Sequence, residues 1–119
     1  MSTDRELLEL AAKAAGIELA WHKNAAPTHR ISGVDYFWCP MDSDGDAFRL
    51  AVKLRIDVIH YWGQVLDEGQ SPFVEAVHCE RDVVNFPGVF EDIGSDGFAS
   101  TRRAIVRAAA SIGEKLCRT

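Results

Sequence analysis

A chain of 119 residues, 47% hydrophobic and 26% charged, fits one domain with a real core, and this balance excludes a disordered chain. A net charge of −5 argues against direct non-specific nucleic-acid binding, which runs on excess Lys and Arg, and no apolar run approaches the roughly 20 residues of a membrane span. The polar start Met1-Ser2-Thr3-Asp4-Arg5-Glu6 is unlike a signal peptide, and three scattered cysteines (Cys39, Cys79, Cys117) make a poor disulfide framework, so the expected location is the cytoplasm.

The whole chain, 1–119, reads as a single domain without repeat, linker or low-complexity tract. A first helix is expected from about Asp4 to Ala15: Thr3 and Glu6 have capping-box spacing, Leu7, Leu8, Ala11, Ala14 and Ala15 form an apolar stripe, and Gly16 suits the position after the helix. Ile17 to His22 alternates as a strand, Lys23 to His29 with Pro27 reads as a loop, and aromatic Val34 to Cys39 reads as a strand closed by Pro40. The acidic turn Asp42-Ser43-Asp44-Gly45-Asp46 opens a second helix to Leu54, capped by Ser43 or Asp44, with Ala47, Phe48, Ala51 and Leu54 on its expected core side.

Ile56 to Trp62 is a strand with two apolar faces, Gly63 to Pro72 a polar connection, and Phe73 to Cys79 another alternating strand. Glu80 to Gly97, punctuated by Pro87, Gly88 and Gly94, reads mostly as a long surface loop. A last helix follows, with Phe98, Thr101, Ile105, Ala108, Ala109, Ile112 and Leu116 at helical spacing. The order α-β-β-α-β-β-α describes an α+β domain: a small, mostly antiparallel sheet with helices packed on it. Trp21, Trp38, Trp62, Tyr36, Phe37 and Tyr61 lie in or beside the strands and are expected mostly in the core, with an exposed sheet face or a homodimer interface as the alternative.

Several familiar chemistries fail on spacing. Counted from Asp42, the acidic turn puts Ala47 and Lys53 where a calcium loop needs Gly and Glu. No pair among His22, His29, His60, His78 and the cysteines has closed zinc-site spacing, and no phosphate-binding glycine loop or nucleophile elbow is present, so no cofactor or metal is expected. A small hydrolase or transferase would need His60 or His78 joined to a carboxylate in a pocket.

Charge is unevenly spread. Residues 61–97 hold one base, Arg81, against eight acids, whereas residues 98–119 hold five bases against one acid. Two arginines occupy the early turns of the last helix, where acids are the rule. Ser100, Thr101, Arg102, Arg103 and Arg107 together form a candidate site for a small anionic or phosphate ligand. The competing reading pairs these arginines with Glu91, Asp92 and Asp96.

Two segments, Trp38-Cys39-Pro40-Met41-Asp42-Ser43-Asp44-Gly45-Asp46-Ala47-Phe48-Arg49-Leu50-Ala51-Val52-Lys53-Leu54 and Ser100-Thr101-Arg102-Arg103-Ala104-Ile105-Val106-Arg107-Ala108-Ala109-Ala110, resemble small tailed-phage and prophage proteins: NinX-like proteins and those called phage ABA-sandwich domains. Cys39-Pro40 stands where many of them have Asn-Pro. The resemblance implies an α/β sandwich of phage or prophage origin and supplies no catalytic residue. The function expected from it is an accessory protein that binds a host or defence component without catalysis. In that reading the acidic stretch, with Glu80, Asp82, Glu91 and Asp92, engages a basic protein surface. The alternative is sequestration of a small phosphate or nucleotide at the start of the last helix.

Overall fold

A computed structural model of the chain describes residues 3–62, 69, 71–78 and 88–117. Helix α1 (Asp4–Ala14) begins where the Thr3 hydroxyl accepts the Glu6 amide at 3.2 Å. It ends in a left-handed Gly16 (φ +72°), which turns the Gly16 and Ile17 amides back onto the carbonyls of Lys13 and Ala12. A side chain there would strain this Schellman closure.

Three strands follow: β1 (Ala20–His22), β2 (Ala25–Ile31) and β3 (Val34–Phe37), an antiparallel sheet in that order. The expected loop at 23–29 is therefore mostly strand. Pro27 is tolerated because its ring nitrogen, like its carbonyl, is on the β3 side, opposite Trp38 and one residue beyond the paired stretch that starts at Thr28 and Phe37, so no ladder amide is missing. The carbonyl of Pro27 still accepts the Trp38 amide at 2.9 Å. Ser32 (φ +51°) and Gly33 (φ +83°) make the two-residue turn between β2 and β3, whose paired positive φ values match the strand twist.

Helix α2 (Asp44–Leu54) is capped by Ser43, which accepts the Asp46 amide. Its core side is Ala47, Leu50 and Ala51, whereas Phe48, expected inside, is 68% exposed. The second antiparallel sheet is β4 (Ile56–Tyr61), β5 (Phe73–His78) and β6 (Val89–Asp92), with β5 central. β6 lies inside the stretch read as surface loop. Its four residues are short for a sequence pattern, and pairing with Phe73–Ala76 defines it. The order is thus α-β-β-β-α-β-β-β-α, a compact α+β fold with two three-stranded sheets in place of one.

Helix α3 (Gly97–Cys117) crosses the middle. Its small residues Ala104, Ala108, Ala109 and Ala110 are buried on nearly every side, against α1, α2 and the inner face of the second sheet. Val74, Ala76 and Ile56 close the core from the sheet, and Trp38 enters it from the end of β3. Of the six aromatics expected mostly inside, Trp38 alone is fully buried: Trp62, Tyr36 and Phe37 are exposed, and Trp21 is half-buried with the Arg5 guanidinium 4.4 Å above its ring. No helix among the described residues is long and apolar enough to cross a membrane.

α1 and α3 approach each other closely at Gly113. A Cβ added at Gly113 would meet the backbone carbonyl oxygen of Leu10, and backbone cannot rotate away. Gly113→Ala should therefore destabilise the protein by about 2 kcal/mol or more despite its higher helix propensity. Urea unfolding monitored by tryptophan fluorescence checks this.

Candidate functional site

Three regions carry the side chains singled out by sequence. The first is the start of α3. The Asp96 side chain accepts the Ala99 amide at 3.1 Å, supplying an acid cap where the first turn has none. Ser100 Oγ donates toward the carbonyls of Ile93 and Asp96, at 2.8 and 3.1 Å. Thr101 Oγ1 donates to the Gly97 carbonyl at 2.7 Å and lies 2.8 Å from His60 Nε2. A hydroxyl has one proton, so His60 is the donor in that second bond.

The three arginines do not share an open site: Arg102 turns to the start of α2, while Arg103 and Arg107 meet on Glu91. Arg102, with a side chain 16% exposed, donates to the Met41 carbonyl (2.8 Å) and to Asp44 (2.6 Å). Arg103 reaches Asp4 at 3.2 Å and Glu91 at 3.4 Å. Arg107 donates to the Phe90 carbonyl and to Glu91, at 3.0 and 2.9 Å. A phosphate bound here would have to displace carboxylates from each guanidinium. The arginines instead tie α3 to the α2 start, to α1 and to β6. Glu91 is on the inner sheet face within this tie, whereas Asp92, the next residue along the strand, is exposed on the outer face. Glu80 and Asp82 lie outside the described residues.

The second region is an apolar groove of about 1170 Å³ between α2, β4 and the start of α3. Phe48 and Val52 of α2, Trp62 and Phe98 line it, and all four are 58–72% exposed. His60, stacked on Trp62 at 6.0 Å between centroids, bonds the Thr101 hydroxyl at its edge rather than a carboxylate. His78 is half-buried at the far end of β5, opposite Ile56.

The third is the outer face of the second sheet, where the helices do not pack. Register aligns Ile59, Glu75 and Phe90 in one row and Tyr61, Phe73 and Asp92 in the next. Tyr61 and Phe73 stack at 4.6 Å, and Phe73 meets Phe90 at 5.8 Å. Every charged residue of these strands is an acid. The sequence pattern concealed this face, because aromatic alternation there looks the same as core alternation.

The acidic turn is internally occupied: Asp46 accepts the Cys39 amide and pairs with Arg49, while Asp44 pairs with Arg102. Burial, followed by the charges of Asp46 and Asp42, pushes the Cys39 thiol above its usual range, the opposite of what a nucleophilic cysteine needs. Cys117 is exposed, with Lys13 Nζ 3.0 Å from its sulfur. Among the described residues no three His, Cys, Asp or Glu side chains cluster as a metal site. No family model, curated protein or solved structure matches this chain significantly.

Two outcomes follow. Arg102→Ala strips a half-buried carbonyl and a carboxylate of their donor and should cost about 2 kcal/mol, whereas Arg103→Ala, at an exposed pair, should cost less than about 1 kcal/mol in urea unfolding. The Tyr61 hydroxyl donates to Glu75 at 2.9 Å, and this bond, with burial and the carboxylate charge adding to it, holds the phenol proton above its usual range. The folded state keeps that proton longer than the unfolded chain does. The contribution to stability is therefore full below the unfolded tyrosine pKa of about 10 and fades as pH rises through the folded value. Alkaline ultraviolet titration should show a late-ionising tyrosine that Glu75→Gln shifts to lower pH.

Proposed function

We propose that this chain is a non-enzymatic accessory protein of phage or prophage origin, and that the outer face of its second sheet engages a basic protein surface of a host or defence component. The observation that carries this reading is the composition of that face. Ile59, Tyr61, Phe73 and Phe90 lie beside Glu75 and Asp92, and the three strands contain no Lys or Arg.

The physical fit is to arginine-bearing protein. Guanidinium groups stack on aromatic faces and pair with carboxylates, so an aromatic patch edged by acids receives them twice over. Phe90 is 54% exposed and Ile59 42%, on the two outer strands either side of Glu75, and this apolar area can anchor a partner. The phage origin rests on the resemblance of the α2 and α3 segments. The binding role is supported by the three arginines of α3 being used inside the fold, which leaves the net negative charge to the strands.

The test is affinity capture from host cells followed by titration of the purified partner. Phe90→Ala and Asp92→Lys, both at exposed positions, should each weaken binding about tenfold or more, and binding should fall with added salt. A partner bound equally well by both variants would refute the assignment of this face.

A further inference from the structure

The groove beside α2 presents an apolar stripe that the fold leaves uncovered, and its α2 wall is complementary to itself when turned end for end. Along that wall run Asp44, Gly45, Phe48, Val52 and Arg55. The acid is in the first turn, the base at the C-cap, and the two apolar side chains, 68% and 63% exposed, lie between them one turn apart. The other charged residues of the helix, Asp46, Arg49 and Lys53, line the opposite side of α2.

We infer that a second copy of this chain covers this groove, with the two α2 helices packed antiparallel about a two-fold axis near position 50. That arrangement lays Phe48 of each chain on Val52 of the other and sets Asp44 beside Arg55 of the other. Asp44 is suited to this, since it gives one oxygen to Arg102 and remains 66% exposed.

A closed two-fold interface must be complementary to itself, and few surfaces are. This one has the required order of charge, apolar pair and opposite charge. The antiparallel arrangement also opposes the two helix dipoles, setting the positive start of each helix by the negative end of the other. Trp62 and Phe98, 58% and 72% exposed at the groove margins, would be covered in the same step. The outer face of the second sheet lies on the other side of β4, so the inference stands apart from the binding role proposed for that face.

Sedimentation velocity of the full chain at tens of micromolar tests it. The wild type should sediment at twice the 13.2 kDa chain mass. Val52→Glu places a carboxylate against Phe48 of the second copy, and Arg55→Glu places one against Asp44. Each should raise the dimer dissociation constant about tenfold or more while the far-ultraviolet dichroism is unchanged. A monomeric wild type, or a dimer indifferent to Val52→Glu, overturns the inference. A dimer weakened by Val52→Glu but indifferent to Arg55→Glu overturns the antiparallel α2 pairing.

Discussion

The contact on which the rest of the structure depends is the close approach of α1 to α3 at Gly113. Backbone meets backbone there, with the Leu10 carbonyl lying where any larger residue would place its Cβ. With this approach fixed, α3 can be buried on almost every side by short side chains, and Ala11, Ala104, Ala108 and Ala109 fill the seam. The cost is that a helix so enclosed offers little volume to the core. Larger groups from elsewhere, Trp38, Leu50, Ile56 and Val74, complete it.

Charge performs a second fastening. The five bases of the last 22 residues look like an anion site when read along the chain, yet the folded arrangement sends Arg102 to the start of α2, Arg103 to α1 and β6, and Arg107 to β6. Each exposed pair is worth little alone. Their combined effect is orientational: Glu91 receives two guanidinium groups from α3, which sets β6 against that helix, and the Phe90 carbonyl takes a third bond. The remaining acids of the strands face outward, so the surface keeps the negative charge while the interior is balanced.

The sidedness of the second sheet follows from this. Residues of one parity, Val74, Ala76 and Glu91, face α3, and residues of the other parity, Phe73, Glu75 and Phe90, face away from it. Among the apolar surfaces left on the described residues are the outer sheet face, with its acids, and the α2 groove that carries charges of both signs. Their electrostatics separate them. One carries acids alone, the other both signs.

Sequence by itself determined the three helices, because capping and 3.6-residue periodicity are local: Thr3, Ser43 and the apolar stripe of residues 98–116 mark them within a residue or two. It also determined β3, β4 and β5, whose alternation survives in single file, and it named the arginines and Glu91 as alternatives of ligand site or internal pairing. Tertiary structure decided what depends on a neighbour. β2 exists despite Pro27 because that residue is opposite Trp38, just past the end of β3, where the ladder needs no amide from it, and β6 exists because β5 pairs with it. The same holds for the aromatics: Trp38 and Trp62 stand at the ends of similar strands, yet one is 4% and the other 58% exposed. Burial is a property of what packs on a face, and a strand's own residues do not record which of its two faces a helix will cover.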